Sequence, residues 1–539
     1  MLGLGVLLLL LRFFPRADPG QSAVATGSTL LGTRGIAGLE LGATVLAGIG
    51  LLAVLTQVRR ARLVRPGALG LARRAGWRDL RAFRLGHGRR GGRPAVRLGT
   101  HRLLAIHLPD EDHLLVLGPT GSGKSSGLAI PAILEWDGAV VVTDPKGELV
   151  QATMSARRRR GRAVVFSPLM TPADSWNPVS SVRSSEDALR TAGLLMGRPP
   201  DREPFWHDLA LQLLQGLLVE AAVAGMNLGD LMAMLQAVPA EELAEELGHP
   251  VARRLAQGAT SGGDRTAMGV VATLVAKLAP YATEQVAEAT SRSSFEAGAI
   301  ATGELKTLYC VVTPHDAPLL RGLVSALLAT CWRAIYAAPP ALPVLFVLDE
   351  FAQLTLLPEL PALVQLGRSQ GVRMMLMAQD LGSITGTYGA DTAAALWANC
   401  RTKLLLAGIS EVDLLDRVSR LAGMATLHRP QPGHADEPVS SHPLLAPDEI
   451  RRLKDDQALI LRGGSHPAVI RQRRWYRDQN LRRLVHLPLD QELVPRPAPG
   501  RPLSTWDTRL ARLEERPATL RWEDNSSESC DLDLETPAC

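Results

Sequence analysis

The sequence predicts an α/β fold with a mostly parallel sheet, and three observations point there. Short apolar runs alternate with helical periodicity along much of the chain, the pattern of strands joined by crossover helices. One run ends in Gly118-Pro119-Thr120-Gly121-Ser122-Gly123-Lys124-Ser125, which matches the phosphate-loop pattern G-x-x-x-x-G-K-[ST] at every fixed position. Another run, residues 343–348, ends in Asp349-Glu350. The loop cradles nucleotide phosphates, and the acidic pair can hold magnesium and orient a water. The chain therefore reads as a nucleoside triphosphatase.

At 539 residues there is room for about two to four domains. A hydrophobic content of 46% is ample for a large core, and a net charge of +5 permits a nucleic-acid partner without demanding one. Lysines are only six, Lys124, Lys146, Lys277, Lys306, Lys403 and Lys454, and two of them lie in the nucleotide-site motifs. Among the cysteines Cys310, Cys331, Cys400, Cys530 and Cys539 no pair has C-x-x-C spacing, which argues against zinc. The first three sit in apolar patterns as core thiols, and the absence of a disulfide framework suits a reducing cytoplasm.

Residues 36–58 are apolar with one acid, Glu40, and residues 41–55 carry no charge. About 20 such residues span a bilayer. Arg59, Arg60, Arg62, Arg65, Arg73 and Arg74 follow, which places the cytoplasm on the carboxyl side. Residues 1–14 are also apolar, broken by Arg12, but short for a span. The expectation is a transmembrane anchor over residues 1–58, built as a two-span hairpin. A single anchor, or a signal-like first segment, is the alternative.

Residues 59–110, rich in Arg and Gly, read as a basic juxtamembrane linker. A strand is expected at 113–117, then the loop, a helix over 124–135 and a strand at 139–143. Asp144-Pro145-Lys146-Gly147-Glu148 then enters a second helix, with Asp as N-cap and Pro at the first helical position. A third strand is expected at 163–166. From 184 to 295 the spacing is helical throughout, as in Leu209, Leu213, Leu214, Leu217 and Leu218, which predicts an inserted all-α domain. Strands return at 307–313, 344–348, 373–378, 403–407 and 458–462. The motor domain is thus expected over 111–183 and 296–485, and a tail, acidic and disordered at its end, over 486–539.

Each motif carries a chemistry. The loop residues Gly118, Thr120, Gly121, Ser122, Gly123, Lys124, Ser125 and Ser126 converge on phosphates at a helix N-terminus. Lys124 offers a point charge to the β and γ phosphates, and the Ser125 hydroxyl can ligate Mg²⁺. Asp349 at a strand end can reach the same metal, and Glu350 is the natural base for water. Gln379, one residue past the strand at 373–378, is placed to sense a γ-phosphate; a surface glutamine is the plain alternative. Arg368, in a polar turn, is either a solvated charge or an arginine acting on a neighbour's site. Arg157 to Arg160 with Arg162 end a helix, where cations are favourable, and DNA contact is the other reading. No N-K-x-D motif follows the loop, which favours ATP over GTP.

The chain resembles the type IV secretion coupling proteins, the VirD4/TraG/TraD family of conjugation ATPases. The resemblance rests on the order of GPTGSGKSSG at 118–127, DPKGEL at 144–149, DEFAQL at 349–354, GRSQG at 367–371 and AQDLGSI at 378–384, and it covers roughly residues 36–485. A weaker match runs through Tyr388-Gly389, Asn399 and residues 444–450. The resemblance implies a RecA-like motor domain on the cytoplasmic side of the cell membrane, using ATP and Mg²⁺, with an inserted all-α domain. It implies a homohexamer that couples a relaxase–single-stranded DNA complex to the components of a type IV secretion channel. It also implies that Arg368 acts across the subunit interface. Thr355 departs from the family, where glycine is common after the DEF motif.

Two rival readings stand beside this one. One is a septal-type pump for double-stranded DNA, against which DPKGE, the helical insertion and the short acidic tail argue. The other is a protein-secretion receptor that never grips DNA, which the sequence does not separate from the first.

Overall fold

The computed structural model describes residues 72–76, 78–83, 95–199, 204–428, 439–488 and 496–497. Residues 1–58, expected to hold the membrane anchor, and nearly all of 486–539 lie outside them. The chain divides into two units, one of residues 1–72 with 423–442 and one of residues 73–422 with 443–539. Met424–His428 and Val439–Pro443 form a two-stranded sheet that lies in the first unit but for Pro443.

The second unit is built on an eleven-stranded sheet. In chain order its strands are β1 Arg97–His101, β2 Leu104–His107, β3 Leu114–Leu117, β4 Val140–Asp144, β5 Arg162–Phe166 and β6 Leu305–Val311. They continue as β7 Val344–Leu348, β8 Val372–Ala378, β9 Thr402–Leu406, β10 Gln457–Arg462 and β11 Ala468–Arg471. Their spatial order is β2-β1-β11-β10-β9-β3-β8-β7-β4-β6-β5. Every pairing from β9 to β5 is parallel, and β10, β11, β1 and β2 extend the sheet by antiparallel pairing.

The apolar runs become parallel strands because helices cover both faces. β3, β4, β7 and β8 are buried at every position. Successive side chains feed two separate cores: Leu115 and Leu117 join one, Leu114 and Val116 the other. The first core is continuous with the helices that follow β5. There the 21-residue helix Pro204–Ala224 packs on Ser185–Met196, Pro250–Thr260 and Asp264–Leu278. Between β5 and β6 the only strand among the described residues is the two-residue Met170–Thr171.

Ala317–Ala337 is the one unbroken helix among the described residues long and apolar enough to cross a membrane. Its apolar face is already spent on the core, with Leu320, Leu323, Leu327 and Ile335 all buried.

The structure corrects the sequence reading in three places. Residues 97–107 belong to the stretch read as basic linker, yet they form the β1–β2 hairpin at the sheet edge. Its inward residues Leu98 and Ile106 are fully buried, but Arg97, His101 and Arg102 hide the alternation. The second helix starts at Glu148, not beside Asp144: Gly147, at φ 75°, turns the chain first, a left-handed conformation that glycine adopts without strain. Asp144 still caps, accepting from Val150 N at 2.9 Å and Lys146 N at 3.2 Å. Arg157 is no surface cation. It is fully buried and donates to the carbonyls of Ile133, Trp136, Gly138 and Lys306 and to Thr307 Oγ1, so DNA contact by this residue is excluded. Two of those carbonyls end the helix Ile130–Glu135, where a cation is favourable. Cys310, Cys331 and Cys400 are buried free thiols, as expected, and burial pushes the latter two up to about 12.

Candidate nucleotide-binding site

Parallel strands place their carboxyl ends on one edge, and the functional loops collect there. The phosphate loop leaves β3, Asp144 ends β4, Asp349-Glu350 follow β7 and Gln379 follows β8. These segments line one cleft of about 310 Å³ containing Thr120, Gly121, Gly123, Lys124, Ser125, Ser126, Asp144, Lys146, Asp349, Glu350 and Gln379. Larger grooves elsewhere on the surface carry none of these groups.

The loop is held from both ends. Gly118 N donates to the Ala378 carbonyl, and Ser122 N to the Pro119 carbonyl, both at 3.2 Å. Gly118 admits no side chain, because a Cβ there would lie 2.7 Å from Leu406 Cβ and 2.8 Å from Ser122 Oγ. The helix after the loop opens with a π-helical turn, Ser125–Ala129, then runs as Ile130–Glu135.

Lys124 is buried. Its Nζ donates to the Gly118 carbonyl at 2.6 Å and pairs with Glu350 Oε1 at 3.2 Å. Ser125 Oγ donates to Asp349 Oδ2 at 3.3 Å. Thr143 Oγ1 donates to the Asp349 carbonyl at 2.9 Å, which locks the end of β7 to β4. Glu350 sits at φ 48°, a left-handed conformation costly for a side-chain-bearing residue and concentrated at functional sites.

Two carboxyls here are hard to ionise. Burial first, and then the neighbouring Glu350 charge, push Asp349 up to about 7, while Lys124 and Ser125 pull it down. Burial pushes Asp144 up to about 6 against the pull of its backbone N–H donors. A cation at the Ser125 and Asp349 oxygens would relieve that cost. No cluster of three His, Cys, Asp or Glu among the described residues could hold a metal by itself. That suits Mg²⁺, which takes one or two protein oxygens and completes its shell with phosphates and water. The donor set at Ser125 and Asp349 therefore fits Mg²⁺.

Arg368 stands apart. It precedes β8, at the opposite edge of the sheet from the cleft, where its Nη1 lies 3.6 Å from Glu111 Oε2. The seven residues of β8 separate it from Gln379 by about 20 Å. It is half-exposed and has no reach to its own chain's cleft.

The structure also adds residues that sequence reasoning missed. Arg474, just after β11, is buried under the loop. It donates to Ser126 Oγ at 2.9 Å and the Ser122 carbonyl at 3.0 Å, and is anchored on the Asp455 carbonyl at 2.7 Å. A Cβ on Gly123 would lie 1.5 Å from its Nη1, so a side chain there would push the guanidinium off these bonds, and φ 97° favours glycine in its own right. Gln472 Nε2 adds a contact to the Ser122 carbonyl at 3.4 Å. No motif flags either residue. Thr355, the family departure, is explained: it is buried, with its hydroxyl 2.8 Å from that of Tyr388, which in turn donates to the Thr355 carbonyl at 3.1 Å.

A family model described as "Type IV secretory system Conjugative DNA transfer" matches residues 70–493. The chain is 26% identical over 421 residues to Protein VirD4 of Rhizobium radiobacter, covering 72% of this chain and 60% of that protein. It is 24% identical over 412 residues to a probable conjugal transfer protein TraG of Sinorhizobium fredii, covering 70% and 64%. The chain thus spans a little over three-fifths of these relatives' lengths. Among solved structures, the bacterial conjugative coupling protein TrwBdeltaN70 in an unbound form superposes with a TM-score of 0.63 at 20% identity, covering 76% of this chain and 94% of that one. TrwB in complex with ADP and Mg²⁺ superposes with a TM-score of 0.60 at 20% identity, covering 76% and 97%. At this identity the likeness is one of fold.

Proposed function

The chain belongs to the type IV secretory system conjugative DNA transfer family, and from that premise we propose that it is a membrane-anchored ATPase that drives substrate transfer into a type IV secretion channel. The substrate is a relaxase–single-stranded DNA complex, and the working form is a ring of six copies at the cell membrane with the motor in the cytoplasm. Residues 1–58 serve as the anchor, 111–183 with 296–485 as the motor, and 184–295 as the inserted all-α domain.

One observation carries this reading: Lys124, Ser125, Asp349 and Glu350 meet in a single cleft at the carboxyl edge of the sheet. ATP and Mg²⁺ are the ligands this donor set suits, in keeping with the complex of TrwB with ADP and Mg²⁺. Lys124 binds the β and γ phosphates, and the loop N–H groups hold their oxygens. Ser125 and Asp349 hold Mg²⁺, which when bound neutralises charge on the phosphate oxygens. Glu350 orients and deprotonates the attacking water. Its strained backbone sets the carboxylate over the loop, 3.2 Å from Lys124. Gln379 reports the γ-phosphate to the helix that starts beside it, Leu381–Tyr388. Arg368, too far to act in cis, serves a neighbouring copy.

Lys124→Ala tests the proposal. The purified full chain should lose ATP hydrolysis, and cells carrying it should lose transfer while the protein stays in the membrane fraction. Wild-type ATPase rates in the variant would overturn the assignment.

A further inference from the structure

Two lysines line the nucleotide cleft, Lys124 and Lys146. They differ in what they are free to do. Lys124 is buried and committed: its Nζ donates to the Gly118 carbonyl at 2.6 Å and pairs with Glu350 Oε1 at 3.2 Å. Lys146 is exposed, and its ammonium has no hydrogen-bond or ion-pair partner among the described residues.

Sheet order fixes the wall on which Lys146 stands. From the loop strand β3 the order runs β8, β7, β4, so the turn after β4 lies across Asp349-Glu350 from the phosphate loop. Thr143 Oγ1, near the end of β4, donates to the Asp349 carbonyl at 2.9 Å and fastens that wall in place. The position of Lys146 does not depend on its side chain. Its backbone N–H donates to Asp144 Oδ1 at 3.2 Å, Val150 N donates to Asp144 Oδ2 at 2.9 Å, and Gly147 makes the left-handed turn between them. Glu148, which also lines the cleft, opens the eleven-residue helix Glu148–Arg158, where a carboxylate is favourable without any lysine. A rigid turn thus presents an uncommitted cation to a cleft that binds anions.

Charge says what that cation meets. Lys124 shares its charge with Glu350, and Asp144, Glu148 and Asp349 also line the cleft. A triphosphate seated on the loop carries its last phosphate toward Asp349, Glu350 and the β4 wall, where Lys146 is the cation left to meet it. A diphosphate stops one group short. Resting on the reading of this cleft as an ATPase site, we propose that Lys146 binds the γ-phosphate and makes the cleft prefer a nucleoside triphosphate to a diphosphate. Lys124 meets the β-phosphate as well, and so serves both forms. Lys146 touches only the group that hydrolysis removes, and its contact is lost when phosphate leaves.

The test measures binding, with ADP and the non-hydrolysable analogue ADPNP titrated calorimetrically into the full chain in the presence of Mg²⁺. Lys146→Ala should weaken ADPNP roughly three- to thirtyfold and ADP less than about twofold, the range for one charged hydrogen bond at a partly exposed site. Lys146→Arg keeps the charge and should hold most of the ADPNP affinity. Lys124→Ala should weaken both ligands. Equal loss of both ligands in Lys146→Ala, or unchanged ADPNP affinity, would overturn the proposal and leave the ATPase reading standing. A wild-type chain that binds neither ligand would overturn that reading, and this proposal with it.

Discussion

Arg474→Ala removes the brace beneath the phosphate loop. The guanidinium donates three hydrogen bonds from a buried position, two to the loop at Ser126 Oγ and the Ser122 carbonyl and one to the Asp455 carbonyl. Hydrogen bonds from a charged group contribute about 1.5–3 kcal/mol each, and neighbouring bonds do not simply add. Losing the two that reach the loop should weaken its held geometry by roughly 2–4 kcal/mol. Truncation also opens a void over Gly123. If nucleotide binds only the held loop, the apparent dissociation constant rises as the held fraction falls. The upper bound is a rise of about 30- to 1,000-fold. The assay is titration of the full chain with a fluorescent ATP analogue, alongside hydrogen exchange of residues 118–126. Exchange should speed up there and stay unchanged in β4 and β7. Arg474→Lys should fall between, because a single ammonium lacks the planar fork that reaches several acceptors. A folded Arg474→Ala chain that binds nucleotide with wild-type affinity and shows unchanged exchange in the loop would refute the reasoning.

Three other perturbations follow from the same geometry. Glu350→Gln should retain nucleotide binding but lose about 10²–10⁴ in turnover, the range for a missing general base; equal losses in binding and turnover would make Glu350 structural. Arg368→Ala should bind ATP normally and hydrolyse it about 10³–10⁵ more slowly. Mixing it with Lys124→Ala chains should recover activity at interfaces that join a good loop to a good arginine, and mixed rings without recovery would end the trans reading. His113 titrates as a stability switch. Burial first, then Arg373, push it down to about 4 from an ordinary 6.5, although Asp112 opposes. The folded state therefore binds fewer protons than the unfolded state between those values, so stability is full above about pH 6.5 and falls as pH drops toward 4, by about 3 kcal/mol. His113→Asn keeps an acceptor for Met374 N but cannot titrate. It should flatten the pH dependence of the melting temperature over that window, and an unchanged slope would place the effect elsewhere.

Local chemistry is what the sequence determined by itself. A phosphate loop needs small residues, a lysine and a hydroxyl at fixed spacing, and a metal-binding carboxylate needs the end of a buried strand. Gly118 to Ser125 and Asp349-Glu350 are legible because their chemistry confines them to a few consecutive positions. The apolar runs likewise announced the parallel strands, since burial on both faces favours near-continuous apolar side chains. The tertiary structure decided everything that joins distant parts of the chain. Arg474 lies 352 residues from the Ser122 carbonyl it holds. Thr355 reads as a departure from its family until Tyr388 is placed against it. Arg157 looks like one of a run of surface arginines until carbonyls from two distant segments, residues 133–138 and Lys306, surround it. The β1–β2 hairpin is too short and too basic to stand out, and becomes a strand pair only because β11 offers it an edge. In each case the pairing depends on which segments the sheet order brings together, and spacing along the chain carries no record of that order.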